Sequence, residues 1–311
     1  MNRERFFGTF ALALLFFGSA LFSWSFFSNA SKPAQAEQTA AAAAPLPIPI
    51  APDAFASVSL SAKSAIVVDL TRRKTLYALN PDIQWPLASL TKVALVLSVA
   101  QALPPDTIIT MPPGVPHFKA GTRWKLSDIA DYTLAISSNE GADVLADAAN
   151  GAIAAAYPEA PASGATLWRM NRLAGELSLA RTYFLNDNGL DEGPAQAGAY
   201  GSARDMAALF AYAASTSPSI FDATKKQAFS IQSLDGARAT AINTDAALPA
   251  IPGIIMGKTG YTTLAGGNLA VVYESQGHRI AAVVLGSTQE GRFDDMKTLV
   301  SLTEQTIAEE R

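Results

Sequence analysis

The sequence predicts a mixed α/β fold of the α+β kind, with one antiparallel sheet built from both ends of the folded domain and an all-helical lobe inserted between its strands. Three observations carry this reading: β-rich segments near residues 64–79, helical patterns from about Leu90 to Ala214, and β-rich segments again after Pro252. With 49% hydrophobic and 16% charged residues among 311, the chain has ample material for a core.

Taken in order, Arg3 and Arg5 precede an uncharged apolar run from Phe6 to Phe27. As a helix this run spans about 30 Å of hydrocarbon, with its positive end in the cytoplasm. Residues 1–30 are therefore expected to anchor an extracytoplasmic protein in the cell membrane. The alternative is a signal removed near the small-residue site Ala34-Gln35-Ala36, which leaves a secreted or periplasmic protein. Residues 31–52, rich in Ala and Pro without amphipathic period, predict a semi-extended linker, and residues 53–311 the folded domain.

Within that domain, Ser64 to Asp69 and Thr75 to Leu79 read as strands joined by the polar turn Thr71-Arg72-Arg73-Lys74. Helices are predicted over Thr91–Ala102, Leu126–Ala149, Gly164–Leu177 and Ala203–Ala214, the last capped by Ser202. Strands return at Ile254–Met256, Leu269–Tyr273 and Ile280–Leu285, with turns at Gly266-Gly267 and Gln276-Gly277. A final helix runs from about Arg292 to Ala308.

Composition narrows the function. A net charge of -4 provides no broad basic surface, so nucleic acid is not expected as a partner and a small molecule or peptide is favoured. The chain has no cysteine, which removes disulfides, thiol nucleophiles and thiolate metal sites. Only His117 and His278 could serve a Ser-His-Asp triad or a zinc site. His117 lies in a Pro-rich stretch and His278 in the turn-like Ser-Gln-Gly-His, so both read as surface-loop residues, and neither metal nor cofactor is implied.

Three short motifs carry chemistry. Ser89-Leu90-Thr91-Lys92 stands where an apolar helical run begins, which puts Ser89 near the helix N-terminus and Lys92 on the same face. An amine can then reach a hydroxyl, beside backbone N–H groups that favour developing negative charge. Ser137-Ser138-Asn139 follows the helical pattern Asp128–Ile136. Alone, it is a helix end and a turn. Lys258-Thr259-Gly260 follows the strand Ile254–Gly257 and, read singly, is a polar turn; it lacks the leading Gly and spacer of a phosphate loop. Together and in this order, S-x-x-K, S-x-N and K-T-G form the motif set of penicillin-binding proteins and class A β-lactamases.

From about Ser61 to Val300 the sequence resembles the catalytic domain of the D-alanyl-D-alanine carboxypeptidases, the low-molecular-mass penicillin-binding proteins. Beyond the three motifs, the resemblance includes Met170-Asn171-Arg172-Leu173-Ala174, Asn188-Gly189-Leu190-Asp191, Ser202-Ala203-Arg204-Asp205 and Asn243-Thr244. It implies a two-lobed β-lactamase/transpeptidase-like fold with the active site between lobes. It also implies a peptidoglycan stem peptide ending in D-Ala-D-Ala as substrate, and β-lactams as covalent inhibitors. In the family's pattern Ser89 attacks the penultimate D-Ala carbonyl, Lys92, kept neutral by burial and the nearby charge of Lys258, takes its proton, and Ser137 relays the proton to the leaving amine. Asn139 holds the substrate amide, and Lys258 and Thr259, beside Gly260, bind the terminal carboxylate. The backbone N–H groups of Ser89 and Tyr261 form the oxyanion hole. Arg292 is expected either near that carboxylate or as a surface residue at a helix start.

Three other readings stay open at this level. A D,D-endopeptidase that cuts peptidoglycan cross-links uses the same residues. A class A-like β-lactamase needs a deacylating Glu after the second motif, and neither Glu176 nor Glu192 stands in the E-x-x-L-N setting expected of it. A non-catalytic wall-binding domain has to have lost the chemistry of motifs that are all present here. Many relatives carry a second β-rich domain and a C-terminal amphipathic helix; this sequence ends at Arg311 soon after the sheet, so anchoring is expected of the N-terminal segment.

Overall fold

A computed structural model gives the structure of residues 53–310. The expected anchor or signal segment (1–30) and the linker (31–52) lie outside the described residues. Among the described residues, no helix is long and apolar enough to cross a membrane.

The chain opens with a hairpin, β1 (Ser64–Asp69) and β2 (Lys74–Leu79), whose turn carries Arg73 in the left-handed region. A short β3 (Trp85–Pro86) leads through a 3-10 turn at Ala88–Leu90 directly into α1 (Thr91–Ala102). The small hairpin β4 (Ile108–Thr110) and β5 (Arg123–Lys125) precedes the helices α2 (Leu126–Ile136), α3 (Asn139–Ala156) and α4 (Ala165–Glu176). Then come β6 (Tyr183–Phe184), β7 (Ala199–Gly201), α5 (Ala203–Thr216) and the hairpin β8 (Ala228–Gln232) and β9 (Arg238–Ile242). The chain closes with β10 (Ile254–Thr262), β11 (Gly266–Ser275), β12 (His278–Ser287) and α6 (Gly291–Glu309).

The main sheet has the order β10-β11-β12-β1-β2, and all its pairs are antiparallel. Strands from the two chain ends meet where β1 pairs with β12, with Ser64 opposite Leu285 and Asp69 opposite Ile280, as the strands-helices-strands order predicts. Both faces of the sheet are covered, so its inner strands read as continuous apolar runs rather than alternating ones. Along β12, Ile280, Ala282 and Val284 pack with Phe293, Met296 and Leu299 of α6. Ala281, Val283 and Leu285 turn to the other face and join the core shared with the helical lobe, which includes Val93, Leu97 and Phe210. Ser202 caps α5 as expected, its Oγ accepting from the Asp205 backbone N–H at 3.1 Å.

Four local expectations change. The single helical pattern Leu126–Ala149 is two helices, because Ser137 adopts the left-handed conformation (φ 64°, ψ 35°) and Ser138 is extended and caps α3. Lys258-Thr259-Gly260 is not a turn after a strand: β10 continues through it to Thr262, pairing Lys258 with Ala270 and Gly260 with Asn268. Gly266-Gly267 opens β11 instead of forming the turn alone. His278 is not a free loop residue; it starts β12, and its Nδ1 lies 2.8 Å from the fully buried carboxylate of Asp69. His117, by contrast, is exposed.

Candidate active site

The three motifs converge at the seam between the helical lobe and the free edge of the sheet. Ser89 stands in the 3-10 turn before α1, following Ala88, which is held at a positive φ of 48°. A non-glycine residue in that region stores strain that the surroundings must hold in place. Here the restraint comes from three sides. Thr91 Oγ1 donates to the Ala88 carbonyl at 2.7 Å. The buried Asn268 amide of β11 donates to the carbonyls of Pro86 and Leu87 at 2.9 and 3.0 Å, while its Oδ1 accepts from the Gly286 N–H. Gly260 of β10 passes so close that a Cβ there meets the Leu87 carbonyl at 2.9 Å and the Ser89 nitrogen at 3.2 Å. The turn that carries Ser89 is thus clamped directly onto the strand bearing the third motif.

Lys92, the second residue of α1, is fully buried. Its Nζ lies 2.8 Å from Ser89 Oγ, 2.9 Å from Asn139 Oδ1 and 2.6 Å from the Asn188 carbonyl. Burial lowers its pKa from 10.5 to about 7, against the upward pull of the Asp143 and Glu140 carboxylates. Neutral, the amine has two donors and one lone pair. Asn139 and Asn188 take the two donors, which leaves the lone pair to accept from the Ser89 hydroxyl.

Ser137, at the αL end of α2, receives a hydrogen bond from Lys258 Nζ at 2.9 Å, and Lys258 also donates to the Thr259 carbonyl at 2.9 Å. Lys258 is fully buried and its pKa is pushed well below the ordinary lysine value, first by burial and then by the charges of Lys92 and Arg292. The two lysines repel each other, so each disfavours the ammonium form of the other, and burial is the larger cause at both. Thr259 Oγ1 is 2.6 Å from Thr244 Oγ1. Arg292 is a buried residue of α6 and not a surface residue at its start: Nη1 donates to the Gly260 carbonyl at 2.7 Å and the guanidinium stacks over Phe293 and Tyr261.

A cleft of about 220 Å³ opens over these groups, lined by Ser89, Ser137, Asn139, Thr259, Gly260, Tyr261 and Arg292, together with Leu190 and Thr244. Larger hollows of about 710, 310 and 300 Å³ contain none of the motif residues. Leu190, Thr244 and the Asn188 carbonyl join the site without having been singled out as site residues. The Asn188-Gly189-Leu190-Asp191 segment was legible as a motif, but a backbone carbonyl aimed at an amine leaves no mark in side-chain identity. Gly189 (φ 83°) lets this segment approach, since a Cβ there falls 2.1 Å from the Ala88 carbonyl. Asp191 fastens it to the sheet through Thr262 Oγ1 at 2.8 Å and the Leu264 N–H at 3.2 Å. Glu176 is paired with Arg169 and Arg172, and Glu192 hydrogen-bonds Asn186; neither lines the cleft. Among the described residues, no group of three His, Asp or Glu side chains is placed to hold a metal ion.

Residues 51–289 match the family model described as D-alanyl-D-alanine carboxypeptidase. The chain is 27% identical over 238 residues to the D-alanyl-D-alanine carboxypeptidase DacB2 of Mycobacterium tuberculosis, covering 74% of this chain and 77% of the relative. It is 28% identical over 261 residues to the D-alanyl-D-alanine carboxypeptidase DacA of Escherichia coli, covering 78% of this chain and 60% of the relative's length. Among solved structures, penicillin-binding protein D2 of Listeria monocytogenes in its ampicillin-bound form superposes with a TM-score of 0.66 at 26% identity, over 79% of this chain and 98% of that one. A D-alanyl-D-alanine carboxypeptidase from Mycobacterium tuberculosis shares the fold, with a TM-score of 0.67 at 24% identity over 79% of this chain and 92% of that one. With its fold, motif order and match all in agreement, the chain belongs to the D-alanyl-D-alanine carboxypeptidase family.

Proposed function

We propose that the protein removes the terminal D-Ala from peptidoglycan stem peptides ending in D-Ala-D-Ala, through an acyl-enzyme on Ser89. The reading rests on one observation above the others: a buried amine with a pKa of about 7 lies 2.8 Å from the hydroxyl of a partly exposed serine. A base tuned to neutral pH beside a partly exposed hydroxyl is an activated nucleophile.

Ser89 Oγ attacks the carbonyl of the penultimate D-Ala as its proton passes to Lys92 Nζ. The oxyanion is received by the backbone N–H groups of Ser89 and Tyr261. Collapse breaks the peptide C–N bond, and Ser137, hydrogen-bonded to Lys258, relays a proton to the departing D-Ala nitrogen. Asn139 orients the substrate amide while holding Lys92. Lys258, Thr259 and Arg292 receive the terminal carboxylate; its arrival favours the ammonium form of Lys258 and reverses the effect of burial. Water, deprotonated by Lys92, then releases the shortened peptide and restores the serine. With no glutamate in the cleft to activate that water, β-lactams acylate Ser89 and leave slowly. A peptidoglycan substrate implies a site of action outside the cytoplasm.

The test is incubation with a D-Ala-D-Ala pentapeptide and with a cross-linked peptide dimer, followed by mass analysis, alongside Ser89→Ala. Loss of one alanine from the pentapeptide, stoichiometric penicillin adducts on the parent and none on the variant are expected. Cleavage of the dimer alone makes the protein an endopeptidase, rapid multiple turnover of penicillin makes it a β-lactamase, and an unlabelled parent makes it a binding domain.

A further inference from the structure

Of the three contacts that Lys92 Nζ makes, the one to the Asn188 carbonyl is the shortest, at 2.6 Å. That carbonyl belongs to the irregular segment between β6 and β7, so its direction depends on what fixes the peptide plane. Within the segment, Asn186 Oδ1 accepts from the Gly189 N–H at 2.7 Å, and Asp191 ties the far end to Thr262. Across from it stands α3. Asp143 follows Asn139 by four residues and therefore lies on the same face of that helix. Its Oδ1 accepts from Asn188 Nδ2 at 2.9 Å, while Asn188 Oδ1 accepts from the Leu190 N–H at 2.9 Å. Both ends of the Asn188 amide are thus engaged, one by the helix and one by its own loop, and the carbonyl of the same residue meets Lys92. The preceding residue, Asp187, offers no such tie: its Oδ1 is buried without a hydrogen-bond partner, and burial, followed by the charges of Asp143 and Asp147, raises its pKa to about 6. The segment is repelled from α3 at Asp187 and held to it at Asn188.

We propose that Asp143 is a positioning residue for the proton-accepting lysine: by gripping Asn188 it aims the carbonyl that holds Lys92 Nζ against Ser89 Oγ. The inference rests on the proposed acylation of Ser89 and adds to it a residue that does not line the cleft. Asp143 is exposed and has two separable effects. Its hydrogen bond fixes the geometry of Asn188, and its charge, like that of Glu140, favours the ammonium form of Lys92 against the larger effect of burial. The other ionisable groups around this chain of contacts are Glu140 and Asp147 from α3, Asp187 from the segment itself and Lys258 from β10, whose charge opposes that of Lys92. Of the carboxylates among them, Asp143 is the one hydrogen-bonded to the residue that holds the amine.

Two variants separate the two effects. Asp143→Ala removes both, whereas Asp143→Asn removes the charge and keeps an oxygen to accept from Asn188 Nδ2. The readout is the second-order rate of Ser89 acylation by a fluorescent penicillin from about pH 5 to about pH 9, with the end-point of labelling counting active sites and so normalising for any misfolded fraction. In Asp143→Ala the plateau above about pH 7 is expected to fall about tenfold, because a base swung off its line to the hydroxyl loses its orientation. Asp143→Asn should recover most of that plateau, and its acidic limb should move about half a unit toward lower pH, which makes labelling at about pH 6 about two- to threefold faster than in the parent. Asn188→Ala keeps the carbonyl and loses the grip, so the double variant with Asp143→Ala should be no slower than Asn188→Ala alone. Losses that multiply in the double variant, or an Asp143→Asn as slow as Asp143→Ala with its limb unmoved, would overturn the inference. Labelling of the parent separates this from failure of the underlying reading: an unlabelled parent overturns the active site and the inference together, whereas a labelled parent matched by Asp143→Ala at every pH overturns only the role of Asp143.

Discussion

Lys92 ties catalysis and folding stability to one proton. Burial sets its amine at a pKa of about 7, whereas in the unfolded chain it titrates at the ordinary 10.5. Between these values the unfolded state carries the extra proton, so stability rises with pH across the window and the contribution is lost as pH falls through about 7. Lys92→Met removes the titration while keeping a long, unbranched side chain in the buried site. From about pH 6 to about pH 8 the parent should gain about 1.4 kcal/mol relative to the variant, because the folded-state titration shifts by about one logarithmic unit over that span. The acceptors left unpaired on Asn139 and Asn188 shift the variant equally at both pH values and cancel. Urea denaturation at the two pH values, with m unchanged, measures the difference. Acylation should follow the same proton, with penicillin labelling of the parent climbing close to tenfold per unit below about pH 7 and levelling above it. A stability difference that does not move with pH, or a flat labelling profile, would refute a buried neutral amine at this position.

Other substitutions probe the clamp around Ser89. Gly260→Ala drives a methyl against the Leu87 carbonyl and the Ser89 nitrogen, so a loss of about 10²-fold in kcat is expected with circular dichroism unchanged. Asn268→Ala strands two carbonyls and one N–H, and should lower the unfolding free energy by about 2–4 kcal/mol while slowing acylation. His278→Ala takes from the buried Asp69 its 2.8 Å partner, at a cost of about 1–3 kcal/mol in denaturant titrations, and should leave labelling of Ser89 intact.

The strand-helix-strand order and the three motifs were legible because each rests on side-chain type and period. Runs such as Ile280 to Leu285 are apolar on both faces, and only a sheet covered on both sides makes such a run. The break between α2 and α3 was legible in the motif reading of Ser137-Ser138-Asn139 as a helix end and a turn, though not in the longer pattern Leu126–Ala149; what no local window contains is the hydrogen bond from Lys258, 121 residues away, to the αL Ser137. The β8–β9 hairpin carries a local signal, the alternation in Ala228–Gln232 and Arg238–Ile242 around Asp235-Gly236. Arg292 was ambiguous because helix-start arginines are usually solvated; here the sheet edge and α6 enclose it together, which no local window contains.

The same long range governs the electrostatics of the site. Lys92 comes from the helical lobe, Lys258 from the sheet and Arg292 from the last helix, so their mutual repulsion exists only once the chain ends have met. Burial of the sheet's two apolar faces must offset that repulsion, and it does so by forcing protons off the lysines more readily than by separating them. The outcome is a division of labour between two like side chains. Lys92, backed by Asp143 and Glu140 and saturated by Asn139 and Asn188, settles near neutrality, where a base works. Lys258, with only Asp245 in its favour, is left short of negative charge. In the proposed reaction an incoming terminal carboxylate supplies that charge to Lys258, whereas the lowered pKa of Lys92 comes first from its burial.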